Sequence, residues 1–333
     1  MPRRSFRRDK CAPKGKNTRS LSYSCYLPKD LLQLKNDWNT SNPQDIITSE
    51  DPQQIWQLLR LKKTECERES CWANNKMLKK RVFAPSMPRS WKKNINEWLS
   101  SDEIEDVLNQ YEKMYPEFEF IGPSPTDYFV KEYGDTCVWE ELCKFNLKEI
   151  IDKGKTKIGV VFNLDPHYKS GSHWVALFIN TLSKTVYYFD STGARIHKYI
   201  QRFRKEVQAQ ALSQLGQDYE FDSNFNVEHQ YHNTECGMYV LFFIITMLKH
   251  DQNYTDPTTP ENIGKQLKNN IKIDRKLNAI SLKKMVKKRQ NRKSTKQQKQ
   301  KGGAYTLFQQ VFKNENLRFP DHLMQELRHH YFN

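Results

Sequence analysis

The chain lacks any apolar run long enough to cross a bilayer. Its longest apolar run, Cys236 to Leu248, falls short of the ~20 residues a spanning helix needs and reads as a buried core helix. The first residues are arginine-rich with no apolar stretch among them, so no secretory signal is expected. None of the seven cysteines (Cys11, Cys25, Cys66, Cys71, Cys137, Cys143, Cys236) stands in a CxxC motif, and their number is odd. That pattern predicts reduced thiols in a soluble, intracellular protein rather than a disulfide framework. Cys66 and Cys71 have no nearby histidine, so neither a zinc site nor any other cofactor is expected. There is no internal repeat.

An even basic face is also missing. The net charge of +15 is concentrated in residues 1–20, at +7, and in residues 275–301, at +12, which leaves the rest of the chain at −4. A dedicated nucleic-acid-binding domain would spread its charge over a folded surface. The two basic segments are therefore expected to be appendages, able to bind nucleic acid or another polyanion without sequence preference.

What is present divides as follows. Residues 1–20 are expected to be a disordered basic tail, 21–83 a helical accessory region, and 84–333 the main domain with a basic insertion at about 255–303. In the accessory region Trp38, Ile55, Trp56, Leu58, Leu59 and Leu61 are the candidate core. A helix is expected from Ser101 to Tyr115. Ile158 to Asn163, Trp174 to Asn180 and Thr185 to Asp190 are apolar on both faces, as central strands of a covered sheet are. Arg195 to Leu215 carries a helical stripe (Ile196, Tyr199, Ile200, Phe203, Val207, Leu212, Leu215), Tyr219 to Val227 reads as a strand, and Pro320 to Phe332 as a helix. Gly302-Gly303 reads as a linker before a helix near Tyr305, or as a site of self-cleavage. The fold class is α+β.

The chemistry concentrates around Cys236. It stands where a polar loop, His229 to Glu235, gives way to the apolar helix, and backbone N–H groups at a helix start favour thiolate over thiol. If the second and third strands turn near Thr181 to Ser183, positions summing to 363 face each other, which pairs His173 with Asp190. His173 is then the candidate base and Asp190 its orienting carboxylate. His167, His229 and His232 are rivals, but none precedes a strand facing a suitable carboxylate. The Cys236 N–H and the Gln230 side chain are candidate oxyanion donors. Gly237 permits a neighbouring chain to approach closely.

His173-Trp174, Phe189-Asp190-Ser191 and Gln230…Glu235-Cys236-Gly237, in that order, resemble the SUMO-specific protease and adenovirus protease superfamily. Glu235 stands where aspartate is commoner. The text WEELCKFNL, FNLDPHYKSGSHW and RFPDHLMQELRHHYF looks like the version found in giant DNA viruses of the mimivirus kind. The resemblance implies a papain-like fold with permuted chain order, a central mixed sheet, and a buried helix starting at the nucleophile. It also implies cleavage of peptide or isopeptide bonds after Gly-Gly, with Trp174 roofing a narrow tunnel. Viral structural precursors and ubiquitin-like modifiers are the expected substrates, in the virion or the host cytoplasm. Two other functions fit the same residues: an acyltransferase using the same three groups, and a non-enzymatic DNA-binding virion component.

Overall fold

A computed structural model of the chain describes residues 6–14, 21–249 and 302–333. Most of the basic tail and nearly all of the basic insertion lie outside these residues.

Two compact units divide the chain. The first comprises residues 1–95, 109–115 and 326–333, and the second comprises 96–108 and 116–325. In the first unit, helices α1 (Pro28–Ser41), α2 (Pro52–Lys62) and α3 (Lys76–Val82) surround a core of Tyr26, Leu31, Leu34, Trp72 and Phe83. Asp51 caps α2 by accepting from the Gln54 N–H at 2.8 Å. Of the candidate core residues, Ile55 and Leu59 are fully buried and Trp38, Trp56 and Leu58 half-buried, but Leu61 is 62% exposed. The α2 stripe turns inward at every fourth residue, and Leu61 lies off it.

Two expectations fail in this unit. Residues 6–14 are ordered: Ala12 N–H donates to Val82 O and Ala84 N–H to Lys10 O, both at 2.9 Å, and the Asp9 carboxylate takes the Ser70 N–H at 2.7 Å. Nor are the thiols reduced. Cys11–Cys25, Cys66–Cys71 and, in the second unit, Cys137–Cys143 are disulfides, with Cα atoms 5.1, 5.5 and 6.3 Å apart. The pairs lie 14, 5 and 6 residues apart in sequence, spacings that a search for CxxC does not catch.

The second unit is built on a five-stranded mixed sheet in the order β1-β4-β5-β6-β7. Its strands are β1 (Phe118–Pro125), β4 (Lys157–Asn163), β5 (Trp174–Asn180), β6 (Thr185–Phe189) and β7 (Glu220–Ser223), while β2 (Lys131–Tyr133) and β3 (Thr136–Cys137) form a small hairpin apart. β4, β5 and β6 run antiparallel to one another, and β1 and β7 join the edges in parallel. β1 was not expected, because Gly122, Pro123 and Pro125 interrupt its apolar pattern. β7 is shorter than expected: at Asn224 the side chain leaves the ladder to bond the backbone of Asp190.

Both faces of the three central strands are covered, which explains their continuous apolar text. On one face Val175, Leu177, Ile179 and Tyr188 meet Ile200, Phe203 and Val207 of α7 (Lys198–Leu215). The smaller helices α4 (Ser101–Met114), α5 (Glu140–Cys143) and α6 (Leu147–Asp152) precede it in the chain. On the other face Phe178 and Phe189 meet Phe243 of α8 (Cys236–Lys249), which is buried from end to end. Phe308 of α9 (Gly302–Val311) and Phe312 close that layer. Gly302 and Gly303 thus fall in the first turn of a helix rather than in a linker. The last helix is α10 (Asp321–Tyr331). Among the described residues no helix is long and apolar enough to cross a membrane.

The α7 stripe differs in one place: Ala211 is buried and Leu212 is 61% exposed. Phe243, by contrast, touches Phe178, Phe189, Phe308 and Phe312. Phe243→Ala should lower unfolding free energy by about 3–5 kcal/mol, whereas Leu212→Ala should stay within about 0.5 kcal/mol of wild type. Urea denaturation of the two variants measures the contrast.

Candidate active site

Cys236 is the first residue of α8, is 1% exposed, and is the free cysteine among the described residues. Its backbone N–H belongs to the opening turn, where helical amides have no acceptor within the helix. Gly237 follows for a steric reason. A Cβ built there would lie 2.8 Å from Leu99 Cβ and 3.3 Å from Trp174 Cδ1. Trp174 Nε1 donates to Leu99 O at 2.8 Å, so the tryptophan and the 96–100 segment close together over the start of α8. The neighbouring chain that Gly237 admits is therefore the protein's own Leu99. Trp174 itself is 8% exposed and packs as a core residue. Leu99 escaped the sequence reading because nothing in its local text marks it.

His173 immediately precedes β5 and Asp190 immediately follows β6. Their Nε2 and Oδ1 atoms are 2.8 Å apart. The strand register is not the expected one. Ala176 pairs with Phe189 and Asn180 with Thr185, so facing positions sum to 365, because the turn also takes in Lys184 in the left-handed region at φ 52°. His173 and Asp190 are therefore diagonal neighbours rather than directly opposed. Both lie beyond the last paired residues, where the imidazole can still reach the carboxylate.

Asp190 is fixed from several sides. Its Oδ1 also accepts from the Thr192 N–H and hydroxyl at 2.9 and 2.8 Å, and its backbone is clasped by the Asn224 side chain. The Cys236 side chain also acts on the His173 ring. With Nε2 committed to Asp190, Nδ1 is the atom left for the sulfur. Burial alone would lower the His173 pKa, but the bond to Asp190, the Asp190 charge and the influence of Cys236 outweigh it and raise it to about 10.

Gln230 is 4% exposed. Its Oε1 accepts from Ser191 Oγ at 2.6 Å, and its Nε2 donates to His232 O. One of the two amide hydrogens remains for another acceptor. Two rival histidines do have carboxylate partners, contrary to expectation: His167 Nδ1 lies 2.7 Å from Asp127 Oδ2, and His232 Nδ1 lies 2.9 Å from Asp321 Oδ2. Both carboxylates come from distant segments. His229 is buried, which lowers its pKa to about 4, and its neutral ring donates from Nε2 to Phe312 O at 2.9 Å. Among the described residues no group of side chains could hold a metal ion.

Residues 146–278 match the family model described as "Ulp1 protease family, C-terminal catalytic domain". Over those residues the chain is similar to a Ulp1 protease domain. Over 155 residues the chain is 34% identical to a protein of Acanthamoeba polyphaga mimivirus that bears a thiol protease name, covering 46% of this chain and 48% of the relative. The chain thus spans about half the length of that curated relative. Over 229 residues it is 25% identical to the SUMO-1 cysteine protease of African swine fever virus, covering 61% of this chain and 81% of the relative. Among solved structures, the crystal structure of the African swine fever virus protease aligns with a TM-score of 0.47 at 19% identity, over 76% of this chain and 92% of that one. The SUMO protease Ulp1, with its catalytic cysteine oxidized to a sulfenic acid, aligns at 0.36 and 22%, over 48% and 71%.

A raised histidine pKa has a direct signature. His173 contributes stability that is fully present below the ordinary histidine value and is lost as pH rises through about 10. NMR titration of the ring should give a midpoint near 10 in the wild-type protein, and a clearly lower one in Asp190→Asn. A midpoint near 6.5 in both would show that these partners do not hold the proton.

Proposed function

We propose that this protein is a cysteine protease that cuts peptide or isopeptide bonds after Gly-Gly-like sequences. The observation that carries the reading is the Asp190–His173 hydrogen bond together with Cys236, which stands at a helix N-terminus and acts on the same imidazole. With its pKa raised, His173 is held as the imidazolium, the form that can give a proton to a leaving group.

In this reading the Cys236 sulfur attacks the scissile carbonyl, and the oxyanion formed is held by the Cys236 N–H and the free amide hydrogen of Gln230. His173 gives its proton to the leaving amine, and a thioester remains on the sulfur. Water then attacks the thioester, losing a proton to His173, and Asp190 stays ionised while holding the ring. The Leu99–Trp174 cover over Gly237 supports small residues on the acyl side, because little room is left beside the nucleophile.

Ubiquitin-like modifiers are one substrate class in keeping with this site. A relative is named as a SUMO-1 cysteine protease, and a structural neighbour is Ulp1 in complex with Smt3. Viral structural precursors with Gly-Gly-X sites are the other, in the virion or the host cytoplasm, a location in keeping with the viral source of the relatives.

Purified full-length protein incubated with Gly-Gly-X peptides and with SUMO conjugates tests the reading and separates the two classes. Cys236→Ala and His173→Ala should abolish cleavage, and Asp190→Asn should leave a residue of activity. Gln230→Ala should lower kcat roughly a hundredfold with KM little changed. Full cleavage by Cys236→Ala would end the proposal.

A further inference from the structure

The loop that carries Gln230 is gripped from two sides. On one side the His229 and Gln230 N–H groups both donate to Ser191 O, at 2.8 and 2.9 Å. Ser191 is next to Asp190, so this grip belongs to the strand end already described. The other grip comes from the chain just before and at the start of α10, nearly ninety residues away in sequence and outside the segment matching the family.

Arg318 and Asp321 form that second grip. The Arg318 guanidinium forks onto two successive carbonyls of the loop, with Nε to His229 O at 3.2 Å and an NH2 group to Gln230 O at 2.6 Å, while its plane lies 3.6 Å from the centre of the Tyr231 ring. The Asp321 carboxylate is 8% exposed and takes four donors. They are the Tyr231 N–H at 3.0 Å, the His232 N–H at 2.7 Å, His232 Nδ1 at 2.9 Å, and the Tyr239 hydroxyl at 2.9 Å.

Tyr239 decides what the grip does. It stands three residues after Cys236 in α8, so one carboxylate ties the loop bearing the oxyanion donor to the helix bearing the nucleophile. The phenol also bonds Phe319 O at 2.6 Å, and burial beside Asp321 keeps it protonated as a donor. A bidentate fork and a four-donor carboxylate hold geometry more tightly than ordinary loop contacts, since charge-assisted bonds are roughly twice as strong as neutral ones.

We propose that Arg318 and Asp321 are positioning residues for the reaction, fixing the Gln230 loop against the Cys236 helix so that both oxyanion donors point at one place. The inference rests on the protease reading above. Neither residue enters the chemistry: their effect passes through Gln230, so it should appear in kcat and not in the nucleophilicity of Cys236.

The test uses the full chain and a Gly-Gly-X peptide, with wild type, Cys236→Ala, Gln230→Ala, Arg318→Ala, Arg318→Lys, Asp321→Asn and the double variant Arg318→Ala/Gln230→Ala. Arg318→Ala and Asp321→Asn should each lower kcat roughly tenfold or more, below the cost of losing the donor itself, with KM within about twofold. Alkylation of Cys236 by iodoacetamide should proceed within about twofold of the wild-type rate. Arg318→Lys should recover part of the loss, since it keeps the charge but not the fork. The double variant should be no slower than Gln230→Ala alone, because a positioning residue has nothing left to position.

Unchanged kcat in Arg318→Ala, additive losses in the double variant, or an equal fall in kcat and alkylation would each overturn the proposal. Should Asp321→Asn fail to fold, the two Arg318 variants decide alone. Folded wild-type protein that cuts no substrate, or Cys236→Ala that still does, would instead overturn the protease reading, and the positioning role would fall with it.

Discussion

One imidazole, bonded on one side to a buried carboxylate and presented on the other to a sulfur, is the interaction on which the rest of the second unit depends. Burial alone would lower the His173 pKa; the bond to Asp190 and the influence of Cys236 reverse the direction. That reversal is possible because each partner is held by something larger. Asp190 is anchored by Thr192 and Asn224 at the end of a central strand, and Cys236 is set at the start of a helix buried along its whole length. The aromatic layer of Phe178, Phe189, Phe243, Phe308 and Phe312 between sheet and helix therefore serves the site as well as the core.

The parts of this arrangement that were legible in the sequence are those written by local pattern. Three strands apolar on both faces imply a covered sheet, and the abrupt change from His229–Glu235 to an uncharged apolar run places Cys236 at a helix start. The ends of the second and third strands bring His173 and Asp190 near each other even with the register misjudged by two positions. A diagonal contact survives such an error; a contact deep in the ladder would not have.

What was not legible is what long-range packing decides. Leu99, lying over Gly237, comes from a segment with no chemistry in its text, and Arg318 and Asp321 look from sequence like ordinary residues before a helix. The carboxylates facing His167 and His232 were missed for the same reason: side-chain pairs between distant segments leave no periodic trace. Strand β1 was hidden by its prolines and glycine, which edge position tolerates and a propensity argument penalises.

In the proposed reaction the sulfur of Cys236, activated by His173, attacks the carbonyl carbon of the second of two glycines. A peptide ending in Gly-Gly with an electrophilic vinyl group in place of the scissile carbonyl places a trap at that atom. Mass spectrometry of the full-length protein after treatment should find one adduct, mapped to Cys236, formed far more slowly in His173→Ala and absent from Cys236→Ala. An adduct on another cysteine, or one forming on Cys236 at an equal rate without His173, would contradict it.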